Sequence, residues 1–224
     1  MKPIRTEAIV LRRTNYGEAD RILQLLTPHH GKLAVMARGV RKEKSRLAGG
    51  IELFAISEVV LQQGKGDLAI LTGARLHTFF AHVLDSYEKM QFGYEVLKQV
   101  GNAVEMVPEP EWYELAKESF IGLNSKMSLE LVELYFYLHY AALLGHGLNL
   151  AADIMGDKLL PEVTYSYDAS EMGLRPNPQG NITSEHIKLL RIASVKTPAV
   201  LAQISGLDEV VKDCLWVARQ HVQR

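Results

Sequence analysis

The hydrophobic period changes once along this chain, near residues 76–80, and the change divides what each half can fold into. Before it, apolar residues come in short runs closed by turn chemistry; after it, they recur at three-and-four spacing. Ile4–Arg13 is rich in β-formers and ends near Asn15-Tyr16-Gly17. Arg21–Thr27 is closed by Pro28-His29-His30-Gly31, and Lys32–Ala37 runs into a cluster of cations. Phe54–Gln62 alternates, with Ile56, Glu58, Val60 and Gln62 on one face. Gly64–Asp67 then turns it into Leu68–Ala74 as a hairpin. Five short strands in residues 1–78 match the size of a small Greek-key barrel such as an OB-fold. Other small barrels and sandwiches have the same strand count.

Residues 79–224 read as a helical domain, so the fold class is α+β: a β-barrel followed by an all-α part. Phe80, Val83, Leu84, Tyr87, Met90, Tyr94, Leu97, Val100 and Val104 keep helical spacing over about seven turns. Pro108 and Pro110 interrupt it, and Pro110 suits the first turn of a second helix, Glu111–Leu123. Ser128 is placed to cap a third, Leu129–Leu144. Leu134–Ala152 carries no formal charge, which raises the question of a membrane span. His139, His146 and Asn149, with a stop at Gly145, instead read as a buried core helix followed by a loop. Residues 146–181 look irregular, with Pro161, Pro176 and Pro178. Short helices follow at Ser184–Ser194, Pro198–Ile204 (capped by Thr197) and Leu207–His221.

The overall net charge of −1 conceals a division. Residues 1–80 hold 13 Lys/Arg against 7 Asp/Glu, a net of +6, and residues 81–224 hold 12 against 19, a net of −7. The first half therefore attracts an anionic partner. Arg38, Arg41, Lys42, Lys44 and Arg46 place five cations in nine residues, opposed by Glu43, and Arg12, Arg13, Arg21 and Lys32 join them in the same domain. Such clusters bind phosphate backbones with counterion release, although many charge runs are merely solvated loops. Residues 1–76 contain two aromatics, Tyr16 and Phe54, too few for a base-stacking platform. Binding there should depend on phosphates and show little base preference.

Signs of catalysis are weak. Gly39–Ser45 resembles a phosphate loop at a glance but lacks its second glycine and is one residue short. The one cysteine, Cys214, allows no internal disulfide, which fits a reducing compartment. Its apolar helical neighbours point to a packed thiol. His29, His30, His139 and His146 form no zinc-ligand spacing. The charged start, Met1–Glu7, lacks the apolar centre of an export signal.

The run Glu7-Ala-Ile-Val-Leu-Arg-Arg13, then Tyr16-Gly-Glu-Ala-Asp-Arg-Ile-Leu23, Thr27 and Gly31-Lys-Leu33, resembles the RecO family. Ala37-Arg-Gly-Val-Arg41 and Lys44-Ser-Arg-Leu-Ala-Gly49 follow in that family's order and spacing. The resemblance implies an OB-fold joined to a helical domain and no catalytic turnover or cofactor. It also implies binding of single- and double-stranded DNA, annealing of complementary strands, and work with RecR to help RecA replace single-strand binding protein (SSB). A cytoplasmic, nucleoid-associated location follows. By position it assigns DNA contacts to Arg12, Arg13, Arg21, Arg38, Arg41, Lys44 and Arg46; Lys32 and Lys42 are added on charge alone. Many members hold zinc with two cysteine pairs after the Leu143-Leu-Gly145 stop. Here those stretches read Ala151–Gly156 and Met172–Arg175, without cysteine, so no metal is expected. Packing of Met155, Leu159 and Leu160 is expected in its place. The competing readings are a protein-interaction module and an OB-fold RNA-binding protein.

Overall fold

A computed structural model describes residues 2–63 and 68–223; the turn read at Gly64–Asp67 lies outside them. The chain forms two compact units, residues 1–124 and 125–224. In the first, β1 (Ile4–Tyr16), β2 (Asp20–Thr27), β3 (Gly31–Ala37), β4 (Ala55–Gln62) and β5 (Ala69–Phe79) close a barrel in the order β1-β2-β3-β5-β4. Neighbours are antiparallel except β3 and β5, whose short parallel pairing at Val35–Ala69 and Met36–Ile70 seals it. This is the OB-type closure. Closure removes free sheet edges, and alternation fills the interior. Ala8, Val10, Leu23, Leu25, Val35, Ala37, Val59, Leu61 and Leu71 point inward.

The helical period read from Phe80 does not run unbroken. A single turn, Ala81–Leu84, comes first, and α1 (Tyr87–Met106) begins only after Ser86, whose hydroxyl accepts the Lys89 amide at 3.2 Å. A side-chain cap outcompetes the apolar spacing that precedes it. α2 (Glu111–Leu123) follows Pro110 and buries Trp112 and Phe120 completely. Both helices belong to the barrel's compact unit, with α1 against β1 and β3. That unit thus runs beyond residue 78, where the strand pattern ends.

In the second unit α3 (Leu129–Leu143) is buried on nearly all sides. It packs against α4 (Ser184–Ala193), α5 (Pro198–Leu201) and α6 (Val211–Val222). Ser128 caps α3 by accepting the Leu131 amide, and Gly145 ends the segment at φ +86°. The buried Glu133 carboxylate receives the Arg219 guanidinium, which pairs its charge. Among the described residues no helix is long and apolar enough to cross a membrane.

Residues 146–181 are more ordered than their composition indicates. Tyr165–Asp168 (β6) and Gly173–Pro176 (β7) form an antiparallel hairpin. Asp168 clasps its turn, accepting from the Ser170 hydroxyl at 2.5 Å, from Arg175 Nε at 2.8 Å and from the Glu171 and Ser170 amides. These bonds hold the Asp168 carboxyl well below the ordinary carboxylate range. A second turn is knit by Asp153, whose Oδ1 accepts the amides of Met155 at 2.8 Å and Asp157 at 3.1 Å. Asn177 Oδ1 likewise accepts the Gln179 amide at 3.0 Å. The expected packing triad is corrected here: Leu159 is buried, but Met155 is 75% and Leu160 44% exposed. Leu159 joins Tyr165, Leu174, Ile182, Ile187 and Val217 in a small core instead. Hydrogen-bonded carboxylate turns over an apolar core therefore order this segment. Among the described residues no three His, Cys, Asp or Glu side chains gather as a metal site. Purified protein should accordingly contain no stoichiometric zinc, and chelator should leave its melting temperature unchanged, because structural zinc contributes folding energy directly. One zinc per chain by elemental analysis would overturn this.

Candidate nucleic-acid interface

Arg38–Arg46 is an ordered strap, because apolar and hydrogen-bonded anchors alternate with its cations. Val40 is 3% exposed and enters the barrel core, and Ile51 at the far end does the same. Burying one such side chain is worth about 1.5–3 kcal/mol. Two backbone anchors add to it. The Gly39 amide donates to Asp20 Oδ1 at 2.7 Å, and the Arg41 amide to the Ala19 carbonyl at 2.9 Å. Gly39 sits at φ +62° and Gly17 at φ +56°, left-handed conformations that glycine adopts without strain. The strap is thereby tied to the β1–β2 turn, and Arg41 Nη1 adds a bond to the Gly17 carbonyl at 3.1 Å.

With the backbone held inward, Arg38, Arg41, Lys42, Lys44 and Arg46 are exposed. None of the five has an ion-pair partner among the described residues. Arg21 lies beside them, opposite Ala37 in the β2–β3 register, with Nε on Asn15 Oδ1 at 3.1 Å. Tyr16 is 55% exposed next to Gly17 at this rim. Arg12 is exposed on the outer face of β1, opposite Gln24.

Two of the nine sequence-chosen cations are engaged elsewhere. Arg13 pairs with Glu52 at 2.9 Å. Lys32 donates to the Gly101 carbonyl at 2.8 Å and to Glu105 at 2.5 Å, and its side chain is 15% exposed. Its ammonium fastens α1 to the barrel. Nothing in the sequence marked these pairs, whose partners lie 39 and 73 residues away.

The other candidate chemical groups are held within the fold. Burial and the neighbouring Asp213 push the Cys214 thiol up to about 12, so it carries no thiolate at neutral pH. His139 Nε2 donates to the Ala193 carbonyl at 3.0 Å, and burial pushes its pKa down. His186 Nδ1 accepts the Thr183 amide at 3.2 Å and so caps α4. Both tryptophans lie off the strap: Trp112 is buried in α2, its Nε1 on the Val107 carbonyl at 2.7 Å, and Trp216 is half exposed on α6. Oligonucleotide should therefore change tryptophan emission little at fixed salt, and a large quench would place the nucleic acid elsewhere.

Barrel and strap together define a class: an OB-type barrel with an ordered basic rim, unpaired among the described residues, on a chain whose remainder is mostly helical. The model for "Recombination protein O N terminal" matches residues 1–80, and that for "Recombination protein O C terminal" matches residues 75–224. The chain belongs to the RecO family. A DNA repair protein RecO of Dehalococcoides mccartyi strain CBDB1 is 32% identical over 98% of this chain and 89% of the relative. That of strain 195 is 34% identical over 63% of the chain and 56% of the relative. One from Heliobacterium modesticaldum is 43% identical over 36% of the chain and 30% of its own length.

Proposed function

We propose that this chain is a non-catalytic mediator of DNA repair and homologous recombination that binds single- and double-stranded DNA through the strap of its barrel. The observation that carries the reading is the rim itself: five exposed cations without ion-pair partners among the described residues, on a backbone anchored by Val40 and Asp20. An ordered array of point charges neutralises phosphates and releases their counterions at little cost in ordering. It carries no base code, so one surface serves any sequence. That property suits annealing: two strands held by their phosphates keep their bases free to pair. Membership of the RecO family, whose named relatives are DNA repair proteins, supports the same reading. In this proposal the protein works with RecR, tolerates SSB on the strand, helps RecA replace it, and acts at the nucleoid in the cytoplasm.

Filter binding separates the alternatives. Retention of single-stranded DNA at least as strong as that of RNA of matching sequence is the expected result. Preference for RNA would assign recognition to the 2′-hydroxyl. No retention of either would leave a protein-interaction module.

A further inference from the structure

On the outer face of the barrel, beyond the strap, β1 and α1 leave a cleft of about 410 Å³. Its walls carry Arg12, Gln24, Tyr94, Lys98 and Asn102. The volume is in the range of pockets that enclose a small ligand. Arg12 and Lys98 face it from opposite elements, are exposed, and have no ion-pair or hydrogen-bond partner among the described residues. The nearby acid, Glu105, is already taken by Lys32. The cleft is therefore lined by Arg12 and Lys98, without ion-pair partners among the described residues, by the paired Lys32, and by the side-chain amides of Gln24 and Asn102.

Tyr94 adds an aromatic face, and the fold holds it with unusual care. Its ring is 48% exposed and meets Phe54 edge-on at 5.0 Å. Phe54 is itself buried at φ +55°, a conformation that bulky side chains rarely adopt. A Cβ at Gly93 would stand 2.9 Å from the Phe54 ring, so glycine is required for this approach. The strained residue and the missing side chain together fix the ring behind Tyr94. A rigid, half-exposed aromatic beside unpaired cations is how sequence-tolerant single-strand binders stack a base.

The cleft lies around the rim of the barrel from the strap. Arg21, beside the strap, shares by alternation the face of Leu23 and Leu25 at the end of β2, while Gln24, in the cleft, faces outward three residues on, about 10 Å at the usual strand rise. The outer positions between and beside them, Ile22, Ala34 and Met36, carry no charge. We infer that the cleft is a nucleotide subsite for the same single strand: Tyr94 stacks a base while Arg12 and Lys98 take its flanking phosphates. This rests on the proposed DNA reading and extends the surface from the barrel onto α1.

A single-stranded oligodeoxynucleotide carrying iodouracil is the probe, irradiated in complex with the full chain. Tyr94 should appear among the crosslinked residues. Lys98→Ala should flatten the log–log salt slope by about 0.7, one phosphate's share. Tyr94→Leu should weaken binding roughly tenfold or more, and Tyr94→Phe, which keeps the ring, should bind like wild type. Lys98 is exposed, so its variant stays folded even where Tyr94→Leu perturbs Phe54. Crosslinks confined to the strap, with Lys98→Ala unchanged, would overturn the subsite while leaving the DNA reading intact. Unchanged binding after removal of the strap's cations would instead overturn the strap, and crosslinks at Tyr94 would then leave the cleft as the DNA site.

Discussion

Replacing Arg38, Arg41, Lys42, Lys44 and Arg46 together with alanine should flatten the salt dependence of single-strand binding by up to about 3.5 in log–log slope, at roughly 0.7 per phosphate. Affinity should fall alike for all sequences, because phosphate contacts carry no base information. The fold should survive. The anchors of the strap are Val40, Ile51 and the backbone bonds to Asp20 and Ala19, none of which the variant removes. Among the described residues Arg41 is the one of the five whose side chain hydrogen-bonds to the fold, to the exposed Gly17 carbonyl, which water can satisfy in its absence. Exposed charges outside networks usually change stability by no more than about 0.5 kcal/mol. Salt titration on a mixed-sequence oligonucleotide, with circular dichroism as the fold control, measures both. An unchanged slope on an intact fold would make the strap a solvated loop.

The second large effect concerns stability. Trp112→Ala should destabilise the barrel's unit by about 3–5 kcal/mol, the usual range for deleting a buried tryptophan. The site is fully buried, and the substitution also leaves the Val107 carbonyl without its indole donor. A loss of that size is a large share of the roughly 5–15 kcal/mol that holds a domain folded. Trp216→Ala, at a half-exposed position, should cost far less. Denaturant midpoints of the two variants make the comparison, and equal losses would contradict the packing described for α2.

Much of the barrel was legible because its signals are local. The turn signalled at Asn15-Tyr16-Gly17 falls at Gly17–Ala19, after Asn15 and Tyr16 pair in β1; the glycine at 31 closes the next turn, and alternation places Val59 and Leu61 inward while Glu58 and Gln62 stay exposed. The strap was visible as a charge run, but its order was not. That order comes from Asp20, 19 residues before its partner Gly39, and from burial of Val40 among the strands. The same limit hid the partners of Arg13 and Lys32.

Residues 146–181 failed to announce a hairpin for a different reason. Its strands are four residues long, too short for a period to register, and one ends in Pro176. Pairing is set by the Asp168 clasp and by Met172 at φ +53°, features of tertiary context. α6 shows the smaller error of boundaries: it begins at Val211, four residues after the periodic pattern starts at Leu207. Tyr94 was read as one apolar member of a helical stripe, although it is about half exposed. Periodicity reports which face a residue shares, and a stripe wider than its contact leaves some members in water.

Annealing of complementary strands coated with SSB, followed without any nucleoside triphosphate, tests the central claim most directly. The wild-type chain should accelerate annealing, and the variant lacking the five strap cations should not. Equal annealing by both, or acceleration that appears only when a triphosphate is added, would contradict a non-catalytic mediator acting through the basic rim of its barrel.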